Sequence, residues 1–98
     1  MKIQETRSGD ELILSVEGRL DTVTAPEMMA LLEKQLPTVS KLIIDMTNLE
    51  YISSAGIRTV VFAQRKLAGD DSLIIRNPNE MIREVFDVTG LTPLLNIE

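Results

Sequence analysis

Two adjacent serines, Ser53 and Ser54, stand between an apolar run and the start of a helical pattern. A hydroxyl placed there meets the unpaired amides of a first helical turn and the positive end of its dipole, a setting that suits a phosphate group. Serine leads the N-cap preferences, so one reading makes the pair a helix cap and nothing more. The other is phosphorylation or anion binding, bringing about −1.5 to −2 charges to the dipole's positive end. Arg58 follows Ser54 by four residues on the same helical face and is placed to pair with that phosphate. A second polar group, Asp21 with Thr22 and Thr24, lies in the loop leaving an earlier strand. It reads as a helix entry capped by Thr24. If the two strands are neighbours, it also sets a carboxylate near Ser54, able to orient a hydroxyl or repel a phosphate. Glu50 reads as a surface acid and Asp70-Asp71 as a solvated turn.

What the chain lacks narrows its chemistry. It has no His and no Cys. Serine–histidine and thiol catalysis, disulfides and the usual nitrogen and sulfur metal ligands are therefore absent, and we expect no metal and no cofactor. No P-loop is present and no lysine sits beside the serines, so an enzyme using Ser54 with Asp21 is the weakest reading. A net charge of −5 argues against nucleic acid or an anionic membrane as the main partner. Three aromatics (Tyr51, Phe62, Phe86) make no stacking platform. No apolar stretch reaches membrane-spanning length and the first residues are strand-like rather than signal-like. The expectation is a cytoplasmic protein with no membrane insertion. At 98 residues, 44% hydrophobic and 26% charged, the chain suits one globular domain over 1–98.

The elements that must position the serines follow from periodicity. Residues 2–7 and 11–18 form two β-prone runs around Ser8-Gly9-Asp10, a hairpin turn, and Gly18 ends the second. Thr24 and Glu27 have capping-box spacing, Pro26 fits the first turn, and Pro37 closes the first helix. Leu42, Ile43 and Ile44 form the continuous apolar run of a strand covered on both faces. The second helix runs from about Ser54 to Ala68, stopped by Gly69, and a short strand follows at Leu73–Ile75. Asn77-Pro78-Asn79-Glu80 reads as N-cap, N1 proline and capping-box glutamate for a third helix. That helix buries Met81, Ile82, Val85 and Phe86, with Gly90 past its end and a last strand at Leu94, Leu95 and Ile97. Met28 reads as core and Met29 as a contact-surface residue. The order β-β-α-β-α-β-α-β is an α/β fold. We expect a mixed, mainly parallel sheet of about five strands with helices packed mostly on one side.

Asp45–Gly56, Gly18-Arg19-Leu20-Asp21 and Val85–Leu91, in this order and at these separations, resemble the STAS domain. The resemblance covers essentially the whole chain and is greatest to the freestanding anti-sigma factor antagonists of bacteria. That family typically reads Asp-Ser-Ser/Ala-Gly before its second helix, its first serine being the phosphorylation site. The resemblance thus implies Ser54 as the phosphorylatable serine, with Ser53 replacing the aspartate and standing as an alternative acceptor. It also implies that Asp21 matches a family aspartate near the phosphosite, with Thr22, Thr24, Ser53, Ala55, Gly56 and Arg58 around it. Arg58 departs from the family's frequent glycine and adds bulk and positive charge. The implied function is partner switching. The unphosphorylated form binds an anti-sigma factor with serine kinase activity and so releases a sigma factor. Phosphorylation of Ser54 breaks the complex and a serine phosphatase resets it. The alternative keeps the fold without the switch, as a docking subunit of an ABC lipid-transport or stress-signalling complex.

Overall fold

A computed structural model describes every residue of the chain except 68 and 70. The elements in order are β1 (Lys2–Ser8), β2 (Glu11–Leu20), α1 (Ala25–Gln35), β3 (Lys41–Ile52), α2 (Ser54–Lys66), β4 (Leu73–Arg76), α3 (Glu80–Val88) and β5 (Asn96–Ile97). Single 3₁₀ turns at Leu36–Thr38 and Thr92–Leu94 follow α1 and precede β5. The sheet runs β1-β2-β3-β4-β5, antiparallel between the first two strands and parallel elsewhere. Each parallel connection therefore steps one strand in the same direction. Right-handed crossovers that all step the same way place all their helices on one face.

The core lies between that face and the helices. Leu12, Leu14 and Val16 of β2 meet Leu42, Ile44 and Met46 of β3, with Met28 and Leu32 of α1, Val60 and Ala63 of α2, and Ile82 and Phe86 of α3 above them. The expectation that the run Leu42, Ile43 and Ile44 is covered on both faces agrees with the burial of all three residues. Ile43 points to the other face, outside this core, in a row with Ile13 and Ile74 set by strand register. Ile74 is buried as well.

Both long strands outrun the sequence reading. β2 does not end at Gly18 but continues to Leu20, and Gly18 takes φ +95 where the register with β3 shifts. Glycine takes that positive φ with no Cβ penalty, so β2 passes through it opposite a bulge of β3 instead of stopping there. β3 spans 12 residues to Ile52, far beyond the three apolar residues that announced it. Between Ser15 and Glu17, and again between Gly18 and Arg19, β3 carries one more residue than β2. The inward positions are consequently Ile44, Met46, Leu49 and Ile52, and the alternation that marks a strand is lost.

Helix ends differ in informative ways. Thr24 occupies the N-cap position of α1 but makes no side-chain cap, so the Thr24–Glu27 capping box does not form. The cap of α3 is Asn79, not Asn77: its Oδ1 accepts from the Ile82 amide at 2.8 Å while its Nδ2 donates to the Leu49 carbonyl at 3.2 Å. Helix and sheet are tied by one side chain, and Asn77 is left outside with φ +54. Starting the helix there turns Met81 outward, 44% exposed, where the sequence reading had it in the core. α2 ends at Lys66 with Leu67 extended; the expected end at Ala68, like Asp70 of the expected turn, lies outside the described residues. The last strand is only Asn96–Ile97, and Leu94 sits exposed on the preceding turn.

Candidate functional site

The two polar loops follow the C-terminal ends of adjacent parallel strands. Leu20 pairs with Ile52 at the last register position, and the Ser53 amide donates to the Leu20 carbonyl at 2.9 Å. Asp21 thus begins its loop at the residue after the one that holds Ser53. The two loops therefore start side by side at one end of the sheet.

Each serine has its own role. Ser53 is the N-cap of α2, extended in backbone, and its Oγ accepts from the Gly56 amide at 3.4 Å. Its carbonyl accepts from Ile57 at 2.9 Å. Ser54 is the first helical residue, exposed, and its hydroxyl has no hydrogen-bond partner among the described residues. Of the four amides a helix start leaves without intrahelical partners, Ser53's is taken by Leu20 and Gly56's by the Ser53 hydroxyl. Those of Ser54 and Ala55 remain to face a ligand, and α2 has no acid in its first turn. Arg58 is exposed one turn further along.

Gly56 sets how closely α2 approaches the sheet. A Cβ there would lie 2.6 Å from the Leu20 carbonyl oxygen, 2.7 Å from Ile52 Cγ1 and 2.9 Å from Leu20 Cγ. Only glycine lets the helix start press against the very residues that end β2 and β3.

The Asp21 loop is self-bonded. Asp21 Oδ1 accepts from the amides of Val23 at 3.0 Å and Thr24 at 3.2 Å, and its carbonyl accepts from Ala25 at 2.7 Å. Thr24 is half-buried, and its hydroxyl donates to the Arg19 carbonyl at 2.8 Å while accepting from the Asp21 amide at 2.9 Å. Asp21, not Thr24, therefore caps the entry to α1. The Thr24 amide, aided by the Val23 amide and Arg19, holds the Asp21 carboxyl below its usual range despite desolvation. A carboxylate so stabilised is a poor base for a serine proton. Thr22 and Val23 form the outer tip of the loop, and Val23 is 84% exposed.

Two members of the site escaped the sequence reading. Arg19 approaches Asp21 with Nε to Oδ2 at 3.5 Å, and its guanidinium lies 4.3 Å over the Tyr51 ring. The two residues are register partners across β2 and β3. The only signal for this lay in the pairing register, which the two bulges conceal.

The fold is thus a mixed sheet with all helices on one face, with a serine pair at a helix start beside an aspartate loop. The STAS domain family model matches residues 2–98. The anti-sigma-B factor antagonist of Listeria monocytogenes is 30% identical over 94 residues, covering 94% of this chain and 82% of that protein. The chain therefore belongs to the STAS-domain family, among its anti-sigma factor antagonists. Two solved structures share the fold. An anti-sigma factor antagonist from Mycobacterium paratuberculosis superposes with a TM-score of 0.87 at 21% identity, covering 98% of this chain and 83% of the other. The Bacillus cell fate determinant SpoIIAA in its phosphorylated form gives 0.78 at 23% identity, with 99% and 91% covered. Among the described residues no helix is long and apolar enough to cross a membrane.

Proposed function

We propose that this protein is a phosphorylation-controlled partner switch. In its unphosphorylated form it binds an anti-sigma factor that is also a serine kinase, and so releases a sigma factor. Phosphorylation of Ser54 by that kinase breaks the complex, and a serine phosphatase restores it. The observation that carries this reading is the division of labour between the serines. Ser53 spends its hydroxyl on the cap, whereas Ser54 presents an exposed hydroxyl with no partner among the described residues. Phosphate on Ser53 would forfeit the cap; phosphate on Ser54 costs the helix nothing and sits at the favourable end of its dipole.

The switch follows from charge and desolvation. A phosphate buried in a close interface without a matching cation on the partner must give up its water. Each ~1.4 kcal/mol so lost weakens binding about tenfold. No rearrangement of the fold is needed. Asp21, already charged and held by its own loop, adds to the repulsion of a phosphate without acting as a base.

The test pairs two substitutions. Ser54→Ala stays folded and binds the anti-sigma factor constitutively; Ser54→Asp stays folded and binds it weakly. Equal binding by the two sinks the switch. Phosphosite mapping on protein from its native host separates the alternatives, since a chain unmodified across growth phases and stress would favour a non-switching docking subunit.

A further inference from the structure

The outer face of α2 differs in charge from the rest of the chain. The net charge of the whole is −5, yet α2 holds three cations, Arg58, Arg65 and Lys66, and no Asp or Glu. Helical spacing sets Ser54, Arg58, Val61 and Arg65 along one line, opposite the buried Gly56, Val60 and Ala63. With Met29 of α1, the residues Arg58, Val61, Phe62, Arg65 and Lys66 line an open groove between the two helices. Its floor is apolar and its rim cationic; Lys66 lies 5.6 Å over the Phe62 ring. The ion pairs among the described residues are Arg19–Asp21 and Arg76–Glu98, so none engages the α2 cations. The exposed flank of α3 has the opposite sign, with Glu80, Glu84 and Asp87 near Met81 and Val88.

We propose that this groove is the docking surface for an acidic, apolar segment of the protein partner, continuing the contact at Ser54 along the length of α2. The inference rests on the switch reading for its partner but adds a surface that reading does not require. Ser54 and Arg65 are separated by about 16 Å along the helix axis, three turns. Charge complementarity selects the occupant: carboxylates for the cationic rim, aliphatic or aromatic side chains for Met29, Val61 and Phe62. Arg58 then has two roles. It binds a partner carboxylate in the unmodified protein, and phosphate on Ser54, one turn away, competes for the same guanidinium. Phosphorylation thereby adds repulsion and removes one attraction together.

The experiment titrates the full chain with the anti-sigma factor kinase encoded in the same genome, by calorimetry at low and physiological salt. Arg65→Glu should weaken binding at least tenfold and flatten its salt dependence, Arg65→Gln should weaken it severalfold, and Lys2→Glu on the far edge strand should leave it unchanged. The neutral variant decides the matter if Arg65→Glu melts early. Wild-type affinity in both Arg65 variants overturns the proposal. So does a wild-type dimer that Arg65→Glu dissolves without altering the titration, since the occupant is then the acidic α3 flank of a second copy. Ser54→Asp in the same titration keeps the two ideas apart. Weak binding by Ser54→Asp with normal Arg65 variants preserves the switch and removes the groove; the reverse pattern preserves the groove and removes the switch.

Discussion

Gly56→Ala isolates the contact that joins fold to site. Gly56 lies in the first turn of α2 and, unlike four other glycines of the chain, does not need a positive φ. Helix propensity alone says that alanine there stabilises, by at most about 1 kcal/mol. The packing says otherwise. The added methyl would stand at 2.6, 2.7 and 2.9 Å from the Leu20 carbonyl oxygen, Ile52 Cγ1 and Leu20 Cγ. Overpacking costs about 1–3 kcal/mol, and the upper end applies because the nearest atom is a backbone carbonyl oxygen held by the Ser53 amide, on a residue paired with Ile52 of β3. The net expectation is a loss of about 2 kcal/mol. For a domain of this size that corresponds to a melting temperature lower by roughly 8–16 °C. Urea and thermal denaturation read it, with Ser54→Ala as the reference for alanine in the same turn. A Gly56→Ala protein as stable as wild type, or more so, would refute the close approach of α2 to the ends of β2 and β3. Because that approach also sets where Ser54 emerges, the variant should bind the anti-sigma factor less well even at temperatures where it is fully folded.

Two further outcomes test the division of roles in the loops. Ser53→Ala should destabilise by about 0.5–1 kcal/mol, the low end for a lost cap because the hydrogen bond is long, whereas Ser54→Ala should stay within about 0.5 kcal/mol of wild type. Equal effects in urea denaturation would mean that Ser53 is not the cap. The Asp21 carboxyl has its folded pKa lowered, first by the Thr24 amide, so its stabilising effect is full above the unfolded value of about 4 and is lost as pH falls through the lower folded value. Asp21→Asn should therefore be less stable than wild type at neutral pH, with the gap closing in acid. A gap that urea midpoints find constant between pH 7 and pH 3 would show that the charge of Asp21 plays no part.

How much of this was legible in the sequence depends on how local the governing forces are. The hairpin turn around Gly9, the helix over Met28 and Leu32, and the serine pair at the start of α2 all rest on neighbours within a turn or two, and each stands where periodicity and capping put it. The order of strands and helices, with right-handed crossovers, was enough for a mainly parallel sheet with its helices on one face. Cap chemistry was harder to read. Thr24-x-x-Glu27 has the spacing of a capping box, but the Thr24 hydroxyl is drawn to the Arg19 carbonyl across the loop. Asn77 and Asn79 are both good caps by type; the Asn77 amide donates to the Thr47 hydroxyl, whereas Asn79 alone takes the Ile82 amide while donating to the Leu49 carbonyl near the end of β3.

By itself, then, the sequence determined the element order, the chemistry excluded by lacking histidine and cysteine, and the presence of two serines at a helix start. These depend on residue type and short-range spacing. The tertiary structure alone decided that β3 runs on to Ile52, that Arg19 stacks on Tyr51 beside Asp21, and that Ser53 caps while Ser54 stays open. It alone gathered Met29 with Arg58 and Arg65 into one groove. The reason is pairing register. Two bulges insert extra residues into β3, and which side chains then meet across strands, or across two packed helices, is set by contacts between segments far apart in the chain.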